Sequence, residues 1–337
     1  MPRNVQIYLQ NSLKWFKNAI HVTKFQKPIT SLEILKLYAQ FSFLNIQTAD
    51  RILGNIHINH PDFPKILKSS NFVILVNRDS EKCQKDSQLL ASAKPMTPEG
   101  LNRPKFGTMN ICGNFEFANF FDLFRHEILH ALGFGLFIPF EPSLPIRIID
   151  WHTPRGVHKM NQTFLDFSKK AKKAVAIHFN CANFGFGGVE GDGLKKNHLN
   201  EYIFGNELMT PNLEDGKNYF SDISAAILEE TYFGEVQWYK VNRNFTKSES
   251  EGYWYGRNFG CEFLNSSCWT FLNKELGNIP TFPFCSKSNE KFCIQTTTSK
   301  IRLTSHQNCH QHHQNYRFCP IDQNFFNFPP NHRIVPC

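Results

Sequence analysis

Residues 121–134 read FDLFRHEILHALGF, and three of them could act together on a substrate: His126, Glu127 and His130. On a helix the two histidines stand four positions apart, so their imidazoles share a face about one turn apart, where both can ligate one zinc ion. Glu127 is not a ligand in this arrangement. A carboxylate beside the metal can instead take the proton from an activated water as that water attacks a peptide carbonyl. The same five-residue pattern also fits two ordinary histidines on a helix, and a catalytic zinc takes three protein ligands, so the assignment turns on a third.

The histidines that follow the motif are candidates: His152, His158, His178 and His198. His178 lies between Ile177 and Phe179 and fits a packed position in a strand. His198 follows the stretch ANFGFGGVEGDG, whose five glycines make a loop able to bring it back toward the motif. That loop has neither the phosphate-cradling nor the dinucleotide spacing. Met209 stands 11 residues after His198 in a turn-like GNELMTPN, where it can be plain core or an apolar floor that fixes the imidazoles.

The element that must carry the motif is a helix over 119–132. Phe124, Ile128, Ala131 and Leu132 form an apolar stripe, and Gly133 follows as a stop. Upstream, LKWFKNAI fits a short helix, and 31–55 predicts one or two helices with Ser31 as N-cap and Glu33 in the first turn. NFVILVN at 71–77 reads as a buried strand, and LLASAKPMTPEGLNRPKFGTMNICGN as loop and edge strand broken at Pro104 and Gly107. Downstream, the prolines of IPFEPSLPIRIIDWHTPRG argue against a regular element. FLDFSKKAKKAVAIHFN reads as a short helix with a solvated basic face, followed by an extended piece. Three segments result: 1–135 with the active-site helix, 136–240 with the third histidine and methionine turn, and a cysteine-rich 241–337. The last has little periodicity after 285, and its HQNCHQHHQN stretch reads as a solvated tail rather than a metal-binding tract.

With 337 residues, 41% of them apolar, the chain can bury a sizeable core. Its net charge of +8 is scattered among acidic residues and forms no basic run interleaved with aromatics, which excludes a nucleic-acid partner. Seven of ten cysteines follow residue 260 without close CxxC pairs, a distribution that predicts disulfides and an oxidising compartment. Sequons at Asn161, Asn244 and Asn265 agree with a secreted route. The N-terminus does not read as a signal peptide, no apolar run reaches a membrane span, and the chain ends without an apolar tail. The expected location is extracellular or at the cell surface, by peripheral association, with the cytoplasm as the alternative.

HEILHALGF, a long intervening segment, then HLNEYIFGNELMT together resemble the leishmanolysin-like zinc endopeptidases, a branch of the metzincins. VILVN and RPKFGTMNI upstream, and FSDISAAILEE, VQWYKVN and YWYGRNFGCEFLNSSC downstream, extend the resemblance over roughly 70–270. It implies an α+β, metzincin-like catalytic domain, with a twisted sheet and HExxH helix, and a cysteine-rich C-terminal domain. It implies one catalytic Zn2+ held by His126, His130 and His198, Glu127 as general base, Met209 as the Met-turn residue, and disulfides at Cys112, Cys181, Cys261 and Cys268. Protein or peptide substrates would be cut at internal bonds. The alternative is a catalytically inactive, peptidase-like surface or adhesion protein. Leu136 stands where shorter metzincins carry their third histidine, Leu199 and Asn200 replace the family's tryptophan and glutamate, and the glycine loop is shortened. No GxSxG elbow supports a serine mechanism, and Tyr202 is a candidate for steadying the oxyanion.

Overall fold

A computed structural model describes residues 3–23, 29–30, 70, 72–77, 80–86, 89–96, 103–112, 119–135, 137–138, 146–166, 169–182, 189–192, 197–214, 216–233, 236–273, 281–285, 291–295, 300–305, 309–313, 317, 319–322, 325 and 333–335. The helices expected over 31–55 lie outside these residues. The architecture is α+β, in two compact units: Met1–Phe140 with Thr231–Lys240, and Glu141–Glu230 with Val241–Cys337. Residues 241–337 thus group with 141–230.

In the first unit a three-stranded sheet has Phe106–Ile111 at its centre, parallel to Val73–Asn77 and antiparallel to Ala91–Pro95. Phe106–Ile111 was expected at an edge and interrupted by Gly107. Gly107 instead lies inside the strand. A Cβ there would come within 2.9 Å of the Ala131 Cβ and 3.2 Å of the Ala131 carbonyl, so the missing side chain is what lets the HExxH helix lie on the sheet. The disulfide Cys83–Cys112 ties the short helix Ser80–Lys85 to the end of this strand.

The helix Arg3–Ala19 is longer than the short one expected from LKWFKNAI and packs along the HExxH helix. Tyr8 stacks on Phe120, and the Ser12 hydroxyl donates to the Phe121 carbonyl at 3.1 Å. Arg125, 1% exposed, is compensated by Asp122 at 2.5 Å and lies over the rings of Trp15 and Phe121. Burying that guanidinium is tolerable because it is paired and covered by aromatic faces.

The second unit corrects the reading of 146–156, the described part of the proline-rich stretch in this unit. Ile146–Thr153 and Gly156–Asp166 form a hairpin in register from Ile146↔Thr163 to Thr153↔Gly156. Gly156 at φ +125° makes the turn after Pro154 and Arg155. Val189–Glu190 adds a third strand, so part of the glycine-rich loop is sheet. The helices Lys169–Phe179 and Asp222–Glu229 pack on each other. The core is aromatic: Tyr202, Phe259, Phe263, Phe271 and Phe284 pack at ring separations near 5–6 Å. The two tyrosines of YWYG work from their hydroxyls, Tyr253 donating to the Phe204 carbonyl at 2.7 Å and Tyr255 to the Tyr202 carbonyl at 2.6 Å. Those bonds satisfy carbonyls that the short helix Glu201–Phe204 leaves over.

Cys181–Cys261 and Cys268–Cys319 staple this unit, Cys285 and Cys293 are also disulfide-bonded, and no free cysteine occurs among the described residues. The aperiodic stretch after 285 contains strands: Lys291–Gln295 pairs with Ile301–Ser305 and Arg333–Val335, and Cys309–His313 with Cys319–Asp322. The histidine-rich tract, expected as a solvated tail, therefore has His310, His312 and His313 in a paired strand. No described helix is long and apolar enough to cross a membrane.

Candidate metal centre

The HExxH helix runs Phe120–Ala131, inside the expected 119–132. Asn119 caps it, its side chain accepting from the Asp122 N–H. At the other end Gly133 adopts φ +90°, with the Gly133 N–H donating to the His130 carbonyl and the Phe134 N–H to the Leu129 carbonyl. This is the paired bonding of a Schellman stop. The Tyr239 hydroxyl then caps the Leu132 carbonyl at 2.7 Å. Both ends being fixed, the helix holds His126 and His130 with their Nε2 atoms 2.9 Å apart and their residues 4% and 6% exposed. Two ring nitrogens this close need a proton or a cation between them. Glu127, 4% exposed, stands beside them in sequence on the same helix.

His198 is positioned by backbone on both sides. Gly191 bridges to Leu199, the Asp192 N–H donates to the His198 carbonyl, and the Leu199 N–H donates to the Met209 carbonyl at 2.8 Å. The substitutions at 199 and 200 have local work here. Leu199 is fully buried, and Asn200 caps the helix Glu201–Phe204 through the Ile203 N–H.

The turn carrying Met209, itself fully buried, is held by Glu207. One carboxylate oxygen accepts from the Met209 N–H at 2.5 Å, the other from the Ser221 N–H at 3.1 Å and the Ser221 hydroxyl at 2.8 Å. Burial pushes the Glu207 carboxyl above its usual range, opposed by these hydrogen bonds.

One ligand atom from each of His126, His130 and His198 lies within 4.8 Å of the others. Nitrogens about 2.0–2.1 Å from a tetrahedral zinc stand roughly 3.3–3.4 Å apart, so the three rings fit a zinc ion after small adjustment. Asp192 completes the fit: its carboxylate lies 3.0 Å from His198 Nδ1, which directs that nitrogen's proton to oxygen and leaves Nε2 as the donor for a metal. Neither Asp192 nor Glu207 stands out in the sequence; each acts through a fold contact with no spacing signature.

The other candidates lie elsewhere. His152 and His158 are exposed on the hairpin. His178, expected in a strand, occupies the last turn of Lys169–Phe179, with Nε2 2.7 Å from the Tyr255 carbonyl and its ring stacked on Tyr253. Burial drops its pKa to about 3, so it is a neutral core group. Tyr202 is fully buried among Trp151, Phe263 and Phe284, which removes it as an oxyanion donor.

A helix-borne HExxH, a third histidine beyond a long segment and a buried methionine turn define a metzincin-type metal site. The comparison with known families agrees: residues 54–328 match leishmanolysin, and the chain belongs to that peptidase family. It is similar to the leishmanolysin-like peptidases of Drosophila melanogaster (26% identical over 265 residues, 66% of this chain and 37% of the relative) and Caenorhabditis elegans (25% over 267 residues, 65% and 38%). That of Drosophila pseudoobscura pseudoobscura is 25% identical over 265 residues, again 66% and 37%. The match thus spans under two fifths of the length of these curated relatives.

Proposed function

We propose that this chain is a zinc-dependent endopeptidase, a reading carried by the convergence within 4.8 Å of His198 with His126 and His130, the latter two on a helix that also bears Glu127. The three neutral imidazoles would hold one zinc ion, which when bound supplies activation of water and polarisation of the scissile carbonyl. Glu127 takes a proton from the attacking water and delivers it to the departing amine nitrogen, so that no acyl-enzyme forms. The buried Met209 turn and Asp192 hold His198 in place while this happens. The substrates are proteins or peptides. The disulfides support action outside the cytosol, in the extracellular space or at the cell surface.

The test is cleavage of a broad peptide library by the purified chain, with and without chelator. Cleavage that a chelator abolishes, zinc restores and Glu127→Gln lowers by about 10²–10⁴-fold in kcat/KM supports the reading. Zinc-loaded protein that cleaves nothing overturns it in favour of an inactive, adhesive peptidase-like module.

A further inference from the structure

In the second unit, the helices Lys169–Phe179, Asp222–Glu229 and Arg243–Gly252 line a cavity of about 580 Å³, and its walls include none of His126, His130 and His198. Its character comes from two repeating faces. Lys170, Lys173, Ala174 and Ile177 share one helix face at intervals of three and four, and Arg243 and Lys247 share another. Five cationic side chains, the fifth being Arg257, meet three carboxylates, Asp222 and Glu251 in the lining and Glu229 beside Arg243, leaving two net positive charges.

Those charges are not equivalent. Arg243 is held by Asp222 at 2.5 Å and Glu229 at 3.0 Å, and Arg257 donates to the carbonyls of Ser250 and Tyr253, so both are built into the wall. Lys247 is only 3.8 Å from Glu251 across an exposed pair. Lys170 and Lys173 are exposed and form no ion pair among the described residues. Beside them Ile177 is 69% exposed, while Ile223 and Ala226 line the wall opposite. The rim of the concavity thus sets an exposed aliphatic side chain beside two unpaired cations.

We propose that this groove docks an acidic peptide segment that carries an apolar side chain. Carboxylates of the segment would meet Lys170 and Lys173, and the apolar side chain would cover Ile177 and the wall beneath it. A sulfated glycan would satisfy the cations but bring no apolar side chain to that wall. A nucleic acid would need exposed rings to stack on, and the tyrosine that lines the cavity, Tyr253, is fully buried. As a second contact for a protein substrate the groove rests on the peptidase reading; as a peptide-binding site it does not.

The test is fluorescence anisotropy of a labelled, Asp/Glu-rich ten-residue peptide with one central leucine, titrated with the full zinc-loaded chain carrying Glu127→Gln so that nothing is cut. Binding should weaken with added salt, by at least about tenfold in Lys170→Glu/Lys173→Glu, and severalfold in Ile177→Ser or with the leucine replaced by serine. All three residues are exposed, so the melting temperature should hold. Equal affinity in the double variant, or a sulfated oligosaccharide that binds where the peptide does not, overturns the proposal. With Glu127 restored, unchanged cleavage of a short neutral peptide alongside lost preference for an acidic-tailed one places the effect in the groove. Binding without any cleavage leaves the groove standing and refutes only the peptidase reading.

Discussion

Glu207→Gln isolates the device that fixes the methionine turn. The native carboxylate accepts three hydrogen bonds, from the Met209 N–H and from the N–H and hydroxyl of Ser221, and it is fully buried. A glutamine of the same shape keeps one acceptor oxygen and turns an NH2 group toward at least one of those donors. Bonds to a charged acceptor are worth about 1.5–3 kcal/mol each, and removing a desolvated charge offsets part of the loss. The net cost should be about 1–3 kcal/mol. At about 2–4 °C per kcal/mol for a unit of this size, the melting temperature should fall by roughly 2–12 °C. Because Leu199 hangs from the Met209 carbonyl, a loosened turn also loosens His198, and zinc affinity should drop about tenfold or more. Differential scanning fluorimetry and competition with a zinc-selective chelator read the two effects. A Gln variant that melts and binds zinc like the native chain would refute this account of the turn.

Gly107→Val should drive a side chain into Ala131 on the HExxH helix, costing about 1–3 kcal/mol by overpacking and lowering zinc retention, while Gly156→Ala in the exposed hairpin turn should leave zinc retention unchanged; chelator competition on both variants checks this. His178 sets an acid limit on stability. Its pKa is depressed from the usual 6.5 to about 3 in the folded chain, so the stability it contributes is present above 6.5 and lost as the pH falls toward 3, at about 1.4 kcal/mol per pH unit. His178→Phe should flatten the stability profile between pH 6.5 and 5, read by urea denaturation, and parallel profiles would contradict the assignment.

The parts of the site written locally were legible in the sequence. His126, Glu127 and His130 declare themselves by helical spacing, and Asn119 and Gly133 bound the helix as their chemistry requires. His198 was one histidine among four until the order of motifs around it was matched to a family. Asp192 and Glu207 were invisible because a carboxylate that orients a neighbour is defined by the bond it makes in the fold. Gly107 was misread for a related reason: a glycine in a strand signals interruption or close approach alike, and only the packed helix decides. The hairpin over 146–166 was hidden by the prolines just before it, although IRIIDWHT itself has strand character. The strands after 285 gave no periodic signal because disulfides, rather than a regular apolar face, help hold that region.

The most direct measurement is the metal content of the purified native chain beside His198→Ala, by elemental analysis after removal of loosely bound ions. Three converging imidazoles predict an equivalent of zinc in the native chain and its loss in the variant, with helix content preserved. Full zinc occupancy in His198→Ala, or none in the native chain supplied with zinc, would contradict the site.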